Sequence, residues 1–332
     1  MVSIETLGSI GEDELLNRLA KYAPIGQLDD DTAILNLLSP TQLVVNSDVF
    51  VESVHFSDLT TRPEDIGWRI IAATLSDLAA TGCNKVIGVT ISMVAPAKTS
   101  WDWVEKVYTG LSSCLESYGG ILLGGDCSGG KEKILAVTAL GSVSTGKIHR
   151  NDARPGDWIV VSGPHGLSRL GLAILQNEVH DRSISFVLRQ QAIQAHRRPK
   201  PRFDIIRVLD EVRPKDIPWR IAGTDSSDGL FKSIQLLAKA SFCHAIVNQA
   251  ELPFKADMIG LDLQDKSQWV LHGGEDFELV LSLPPSWGKA LLHADSQCKK
   301  IGIMVAEGSI LEQPDSVNSW ISADNFFEFK HF

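Results

Sequence analysis

The sequence predicts an α/β (α+β) protein of two domains. Segments rich in β-branched residues alternate with amphipathic helical stretches in both halves. At 332 residues the chain exceeds a comfortable single hydrophobic core. Between the halves lies Asp152-Ala153-Arg154-Pro155-Gly156-Asp157, a polar run with both Pro and Gly that reads as a boundary. The expected domains are therefore 1–150 and 151–332.

Residues 11–22 read as a helix, with Leu15, Leu16 and Leu19 on one face and Glu12, Asp13 and Glu14 in the first turn, where the helix dipole favours carboxylates. Thr41 to Val51 is a strand carrying Asp48 near its end. Pro63 opens a helix that runs to about Ala80 and stops at Gly82. Val86 to Val94 is a strand, Trp101 to Tyr118 a helix, Ile121 to Leu123 a short strand broken at Gly124, and Ile134 to Val143 a further strand. The second half begins with a strand at Trp158 to Val161. It continues with helices near 166–176, 183–195, 201–212 and 229–241, and strands near 244–248, 277–283 and 300–306.

Composition narrows the function. A hydrophobic share of 44% with 22% charged residues suits a soluble globular protein. The net charge of -10 argues against nucleic acid or an anionic membrane as partner, since such binding rests on clustered Lys and Arg. The most basic stretch, His196 to Arg202, holds two prolines and no aromatic platform, and reads as a solvated connector. Five cysteines, widely spaced and without a C-x-x-C pair, fit reduced thiols in a cytoplasm. The N-terminus lacks the pattern of a signal peptide, and the longest apolar run is too short to span a bilayer. A cytoplasmic location is the expectation.

Six short acidic motifs carry the chemistry: Asp30-Asp31, Asn46-Ser47-Asp48, Ser76-Asp77, Gly124-Gly125-Asp126, Asp225-Ser226-Ser227-Asp228 and Gly273-Gly274-Glu275-Asp276. Carboxylates of this kind serve hard cations, because Mg²⁺ takes oxygen ligands and is held by a few carboxylates plus substrate phosphates. The adjacent glycines let backbone N–H groups approach phosphate oxygens. Asp77 follows Ala73 by four residues, Ile70 by seven and Ile66 by eleven, so it shares their apolar face and needs a partner there. Plainer readings stand beside these. Asp77 sits near a helix end and could reach solvent, Asp48 could terminate a strand in an Asx-turn, and Gly-Gly-Asp is also a plain turn. Ser227 or Asp228 would serve as an N-cap for the next helix, which leaves the other acidic residue of that motif unexplained. There is no Walker phosphate loop and no protein-kinase signature.

Taken in order, these motifs resemble the thiamine-monophosphate kinase family, of the superfamily shared with aminoimidazole ribonucleotide synthetase and selenophosphate synthetase. The likeness covers essentially the whole chain: Gly11-Glu12, Asp30-Asp31, Ser47-Asp48 with His55-Phe56, Leu75 to Ala80, Gly124-Gly125-Asp126, Arg150 before Pro155-Gly156-Asp157, Ser227 to Leu230, Gly274-Glu275-Asp276 and the His331-Phe332 ending. The resemblance implies transfer of the ATP γ-phosphoryl group to thiamine phosphate, giving thiamine diphosphate and ADP, with several Mg²⁺ ions. Residue by residue it implies Asp31, Asn46, Ser47, Asp48, Asp77, Asp126, Asp225 and Asp228 as magnesium ligands. Tyr108, Gly125, Asp126, Arg150 and Ser227 would contact ATP, whereas His55, Glu275 and Phe329 would contact thiamine phosphate. The implied fold is that of aminoimidazole ribonucleotide synthetase: an N-terminal ATP- and magnesium-binding domain whose sheet pairs into a barrel across a homodimer, and a C-terminal α/β domain. Three positions depart from the pattern: Leu28-Asp29 where glycine usually precedes the first aspartate pair, Asn46 for Ser or Thr, and Cys127 for Thr.

The expected chemistry is in-line phosphoryl transfer governed by positioning and charge neutralisation. The first rival is a sibling ATP-dependent synthetase. Selenophosphate synthetase would want a reactive N-terminal cysteine, and the earliest here is Cys83; the hydrogenase-maturation relative would want a C-terminal one. The second rival is a non-catalytic nucleotide-binding regulator, which retention of the full acidic set disfavours.

Overall fold

A computed structural model describes residues 5–10, 12–22, 42–144, 146–179, 184–259, 266–306 and 320–322. The chain divides into two compact units, Met1–Leu78 with Cys83–Ser144 and Ala79–Gly82 with Thr145–Phe332.

The first unit opens with α1 (Leu7–Ile10) and α2 (Glu12–Leu19), followed by a 3-10 turn at Ala20–Tyr22, in place of one helix over 11–22. Ser9 accounts for the earlier start: its hydroxyl donates to the Thr6 carbonyl and accepts the Thr6 N–H, closing the first turn of α1 onto the residue before it. Then come β1 (Gln42–Val51), α3 (Pro63–Ala80), β2 (Lys85–Ala95), α4 (Trp101–Tyr118), β3 (Ile121–Gly129) and β4 (Ile134–Val143). The strands form one sheet in the order β1-β4-β2-β3, with only β2 and β3 parallel. A parallel pair needs a long crossover, and α4 supplies it. The strand β3 runs six residues beyond the expected end at Leu123, pairing with β2 as far as Gly129 against Ala95. Register with a well-paired neighbour overrides the poor strand propensity of its glycines.

Helix α3 is apolar almost all round, and Ile66, Ile70, Ile71 and Leu75 are wholly buried. It meets α4 backbone to backbone. A Cβ added to Gly67 would lie 1.9 Å from the Val107 carbonyl oxygen, and one added to Gly110 would lie 1.7 Å from that of Glu64.

The second unit comprises β5 (Trp158–Val161), α5 (Leu167–Leu175), α6 (Phe186–Arg197), α7 (Phe203–Glu211), β6 (Ala222–Asp225), α8 (Leu230–Ala240), β7 (Cys243–Asn248), α9 (Ala256–Ile259), α10 (Lys266–His272), β8 (Leu279–Leu283), α11 (Pro285–Ala294), β9 (Lys299–Ala306) and β10 (Trp320–Ser322). Its sheet has the order β10-β7-β9-β5-β8-β6, antiparallel throughout. Ile159 and Val161 join α8 and α10 in one core, while Val160 joins α7 and α11 in another. Burial on both faces explains why β5 and β8 read as continuous apolar runs. The strand β6 escapes sequence reading because Ala222-Gly223-Thr224-Asp225 carries no periodic signal.

One expectation is corrected here. The stretch from His196 to Arg202 is not a solvated connector, since His196 is 3% and Arg202 7% exposed. Arg202 pairs with Glu278, donates to the Ser162 carbonyl at 3.0 Å and grips both carboxylate oxygens of Asp204 at 3.0 Å. A buried guanidinium requires such a complete set of acceptors.

Candidate functional site

In the first unit, strand alternation turns Val44, Asn46, Asp48 and Phe50 inward and leaves Leu43, Val45, Ser47 and Val49 exposed. Asp77 stands one turn before the end of α3 and meets the inward set. The Asn46 Nδ2 donates to Asp77 Oδ2 at 2.8 Å and lies 3.4 Å from Asp48 Oδ2. Thr74, one turn before Asp77, adds a hydroxyl beside Asp48. Burial pushes the Asp48 carboxyl above the usual carboxylate range, opposed by Thr74, His55 and Asn46. The His55 Nδ1 accepts the Val51 N–H at 3.1 Å, and its ring stacks on Phe50 at 5.3 Å.

Other expected residues of this unit sit apart from that group. Ser47 faces the opposite side of the sheet, with its hydroxyl bonded to the Val137 carbonyl and Thr138 at 3.1 Å each. The cross-strand row of Asp48 passes through Val137 and Ile91 to Gly125, while Asp126 is one residue further, exposed and opposite Ser92. Tyr108 is 2% exposed under β3, where burial raises its phenol and Cys127 is its hydrogen-bond partner. Its visible role is to support the glycine-rich strand from beneath.

In the second unit, Asp225 ends β6 and is 4% exposed. Its carboxylate accepts the Ser227 hydroxyl at 3.1 Å, and its carbonyl accepts the Ser233 hydroxyl at 2.7 Å. Asp228 is exposed. The N-cap of α8 is Gly229, at φ 101°, without a side-chain bond, so neither Ser227 nor Asp228 caps the helix. Arg150 Nε donates to Thr224 Oγ1 at 3.3 Å, which brings it to the residue before Asp225. Two bonds zip this loop to the next motif: the Glu275 N–H donates to the Ser227 carbonyl at 2.7 Å, and the Glu278 N–H to the Ser226 hydroxyl at 3.1 Å. Asp276 takes a different part. Its carboxylate accepts the N–H groups of Gly166 at 2.7 Å and Ser168 at 3.1 Å, closing the N-terminus of α5. Asp31 and Phe329 lie outside the described residues.

Among the described residues no three His, Cys, Asp or Glu side chains are gathered as a metal cage. The Asn46, Asp48 and Asp77 group nonetheless fits magnesium, which is commonly bound through one or two carboxylates with phosphates completing its shell. Asn46 Oδ1 is buried with no hydrogen-bond partner in this structure, an oxygen such an ion could use. Sequence reading missed Thr74, Thr224 and His196 as parts of a site. The helical spacing of Thr74 from Asp77 was the one signal available for any of them. No helix among the described residues is long and apolar enough to cross a membrane.

Comparison with known proteins places the chain in a family. Residues 29–143 match the family model described as AIR synthase related protein, N-terminal domain. A thiamine-monophosphate kinase of Prochlorococcus marinus is 48% identical over 303 residues, covering 90% of each chain. The crystal structure of thiamine-monophosphate kinase from Stenotrophomonas maltophilia superposes with a TM-score of 0.75 at 29% identity, over 89% of this chain and 93% of that one. AaThiL complexed with AMPPCP and TMP superposes with a TM-score of 0.70 at 26% identity, over 96% of this chain and 99% of that one. With its paired aspartates, its glycine-rich strand and this degree of likeness, the chain belongs to the thiamine-monophosphate kinase family.

Proposed function

We infer that this protein transfers the γ-phosphoryl group of ATP to thiamine phosphate. A phosphate oxygen of the acceptor forms the new P–O bond, and the β–γ bridging oxygen leaves with ADP. The single observation that carries the reading is the bridge that Asn46 makes between Asp48 on β1 and Asp77 on α3, a half-buried acidic pair whose mutual repulsion a cation would relieve. AaThiL holding AMPPCP and TMP supports the substrate assignment.

Each residue has its task. Asn46, Ser47, Asp48, Asp77 and Asp126 in the first unit, with Asp31, and Asp225 and Asp228 in the second are the proposed magnesium ligands. Ser47 would contribute through its backbone, because its side chain is engaged on the other face. Magnesium bound there would neutralise phosphate charge. Gly125, Arg150 and Ser227 are the proposed ATP contacts. Glu275, His55 and Phe329 are assigned to the acceptor. That acceptor arrives as an ionised phosphate, so no strong base is needed. Anionic substrates repel one another, and Arg150 offsets part of that repulsion. Residues 1–150 are proposed as the ATP- and magnesium-binding, dimer-forming domain and 151–332 as the C-terminal domain, in a cytoplasmic homodimer.

An ADP-release assay decides among the alternatives. Release that depends on thiamine phosphate and magnesium supports this reading. Turnover with a different acceptor would favour a sibling synthetase, and nucleotide binding with no turnover on any acceptor would favour a regulator.

A further inference from the structure

The segment from Gly273 to Phe277 is strained. Gly274, Glu275 and Phe277 have φ of 66°, 56° and 53°, and two of these residues carry side chains. Non-glycine residues there are costly and persist only where their surroundings over-determine them. The surroundings here are specific. Asp276 is tied to two N–H groups of the α5 turn, and Glu275 to the Ser227 carbonyl. Helices α5 and α6 cross closely at Gly171, where an added Cβ would lie 2.1 Å from the Ala192 carbonyl oxygen and 3.0 Å from His196 Cβ. That crossing delivers His196, 3% exposed, with its Nδ1 3.4 Å from Ser168 Oγ and 3.5 Å from Glu275 Oε2.

We propose that Asp276 and His196 are positioning residues for Glu275 in acceptor binding. Asp276 pins the strained turn to α5, and His196 meets the Glu275 carboxylate from its buried side, so that carboxylate is held in one orientation. A carboxylate held this way suits the cationic thiazolium ring or the amino group of the pyrimidine ring of thiamine phosphate and would repel its phosphate. The proposal rests on reading Glu275 as an acceptor contact.

Steady-state kinetics on the full protein tests it with Glu275→Gln, Asp276→Asn, His196→Ala and His196→Gln. Glu275→Gln raises the KM for thiamine phosphate about tenfold and leaves that for ATP nearly unchanged. Asp276→Asn and His196→Ala give the same split, and His196→Gln, which keeps a hydrogen-bonding group, recovers most of the loss. Should Asp276→Asn fail to fold, the two His196 variants decide. A parallel rise in both KM values, or no change while Glu275→Gln shows the split, overturns the positioning role. If Glu275→Gln itself leaves the acceptor KM untouched, the acceptor reading of Glu275 fails and the proposal falls with it.

Discussion

At the scale of the residue, the charged side chains of this protein separate by what surrounds them. Asp77 lies in an apolar helix with its carboxylate against Asn46. Asp77→Asn keeps volume and polarity but removes a ligand charge, so the variant should fold while magnesium affinity collapses. Calorimetric Mg²⁺ titration and turnover should both fall by more than the roughly 10- to 100-fold typical of outer-shell partners, with the melting midpoint little moved. Wild-type turnover at ordinary Mg²⁺ would remove Asp77 from the ligand set. A second pair of residues contributes to the acid response with opposite signs. Burial pushes the Asp276 carboxyl up to about 7, against the two N–H groups that favour its ionised form. Burial pulls the His165 imidazole down to about 4, with the Gly163 carbonyl opposing. Asp276, raised on folding, favours the folded state at low pH and loses that contribution as pH rises toward 7. His165, depressed on folding, favours it at high pH and loses that contribution as pH falls from 6.5 toward 4. Their slopes oppose one another between these values. Asp276→Asn should therefore steepen the acid loss of stability by up to about 1.4 kcal/mol per pH unit, and His165→Gln should shift it the other way. Melting midpoints from pH 4.5 to 6.5, compared with wild type, read this directly; equal slopes in all three proteins would contradict it.

Among the elements, the α3–α4 contact shows how a rule of propensity is reversed by packing. Alanine for glycine inside a helix ordinarily stabilises by roughly 1 kcal/mol. At Gly67 and Gly110 the new methyl would meet a carbonyl oxygen of the facing helix at 1.9 Å and 1.7 Å. Gly67→Ala and Gly110→Ala are expected to destabilise by about 1–3 kcal/mol, seen as a lower urea midpoint. A midpoint at or above wild type would mean the helices part without penalty. Because α3 also carries Asp77, the same variants should weaken magnesium binding. The limits of α3, α4, β4 and β5 follow from sequence, since Pro63, Gly119, the alternation of β4 and the short apolar run of β5 mark them. The continuation of β3 and the strand β6 do not, because their glycines and short polar ends become strands only through a neighbour's hydrogen bonds.

For the whole molecule, β1 is an edge strand with Leu43, Val45 and Val49 exposed at 48%, 65% and 47%. An apolar edge of that kind has to be covered, and a second copy about a two-fold axis would cover it. Light scattering at micromolar concentration should give a dimer. Val45→Lys, on the exposed face and away from Asn46 and Asp48, should shift it toward monomer; a fully active wild-type monomer would refute the assembly.

The sequence by itself determined the α/β class, most element limits, the acidic motifs and the family, because periodicity, helix signals and ordered motifs are local and additive along the chain. Tertiary structure alone decided which motif residues meet. Asn46 reaches both Asp48 and Asp77, and Asp276, though adjacent to Glu275, serves the backbone of α5. It also decided that His196 and Arg202, basic and flanked by prolines, are buried. The reason is physical: burial and partnership of a polar side chain depend on groups far away in the chain, and a carboxylate or imidazole carries no local mark of the partner that will satisfy it.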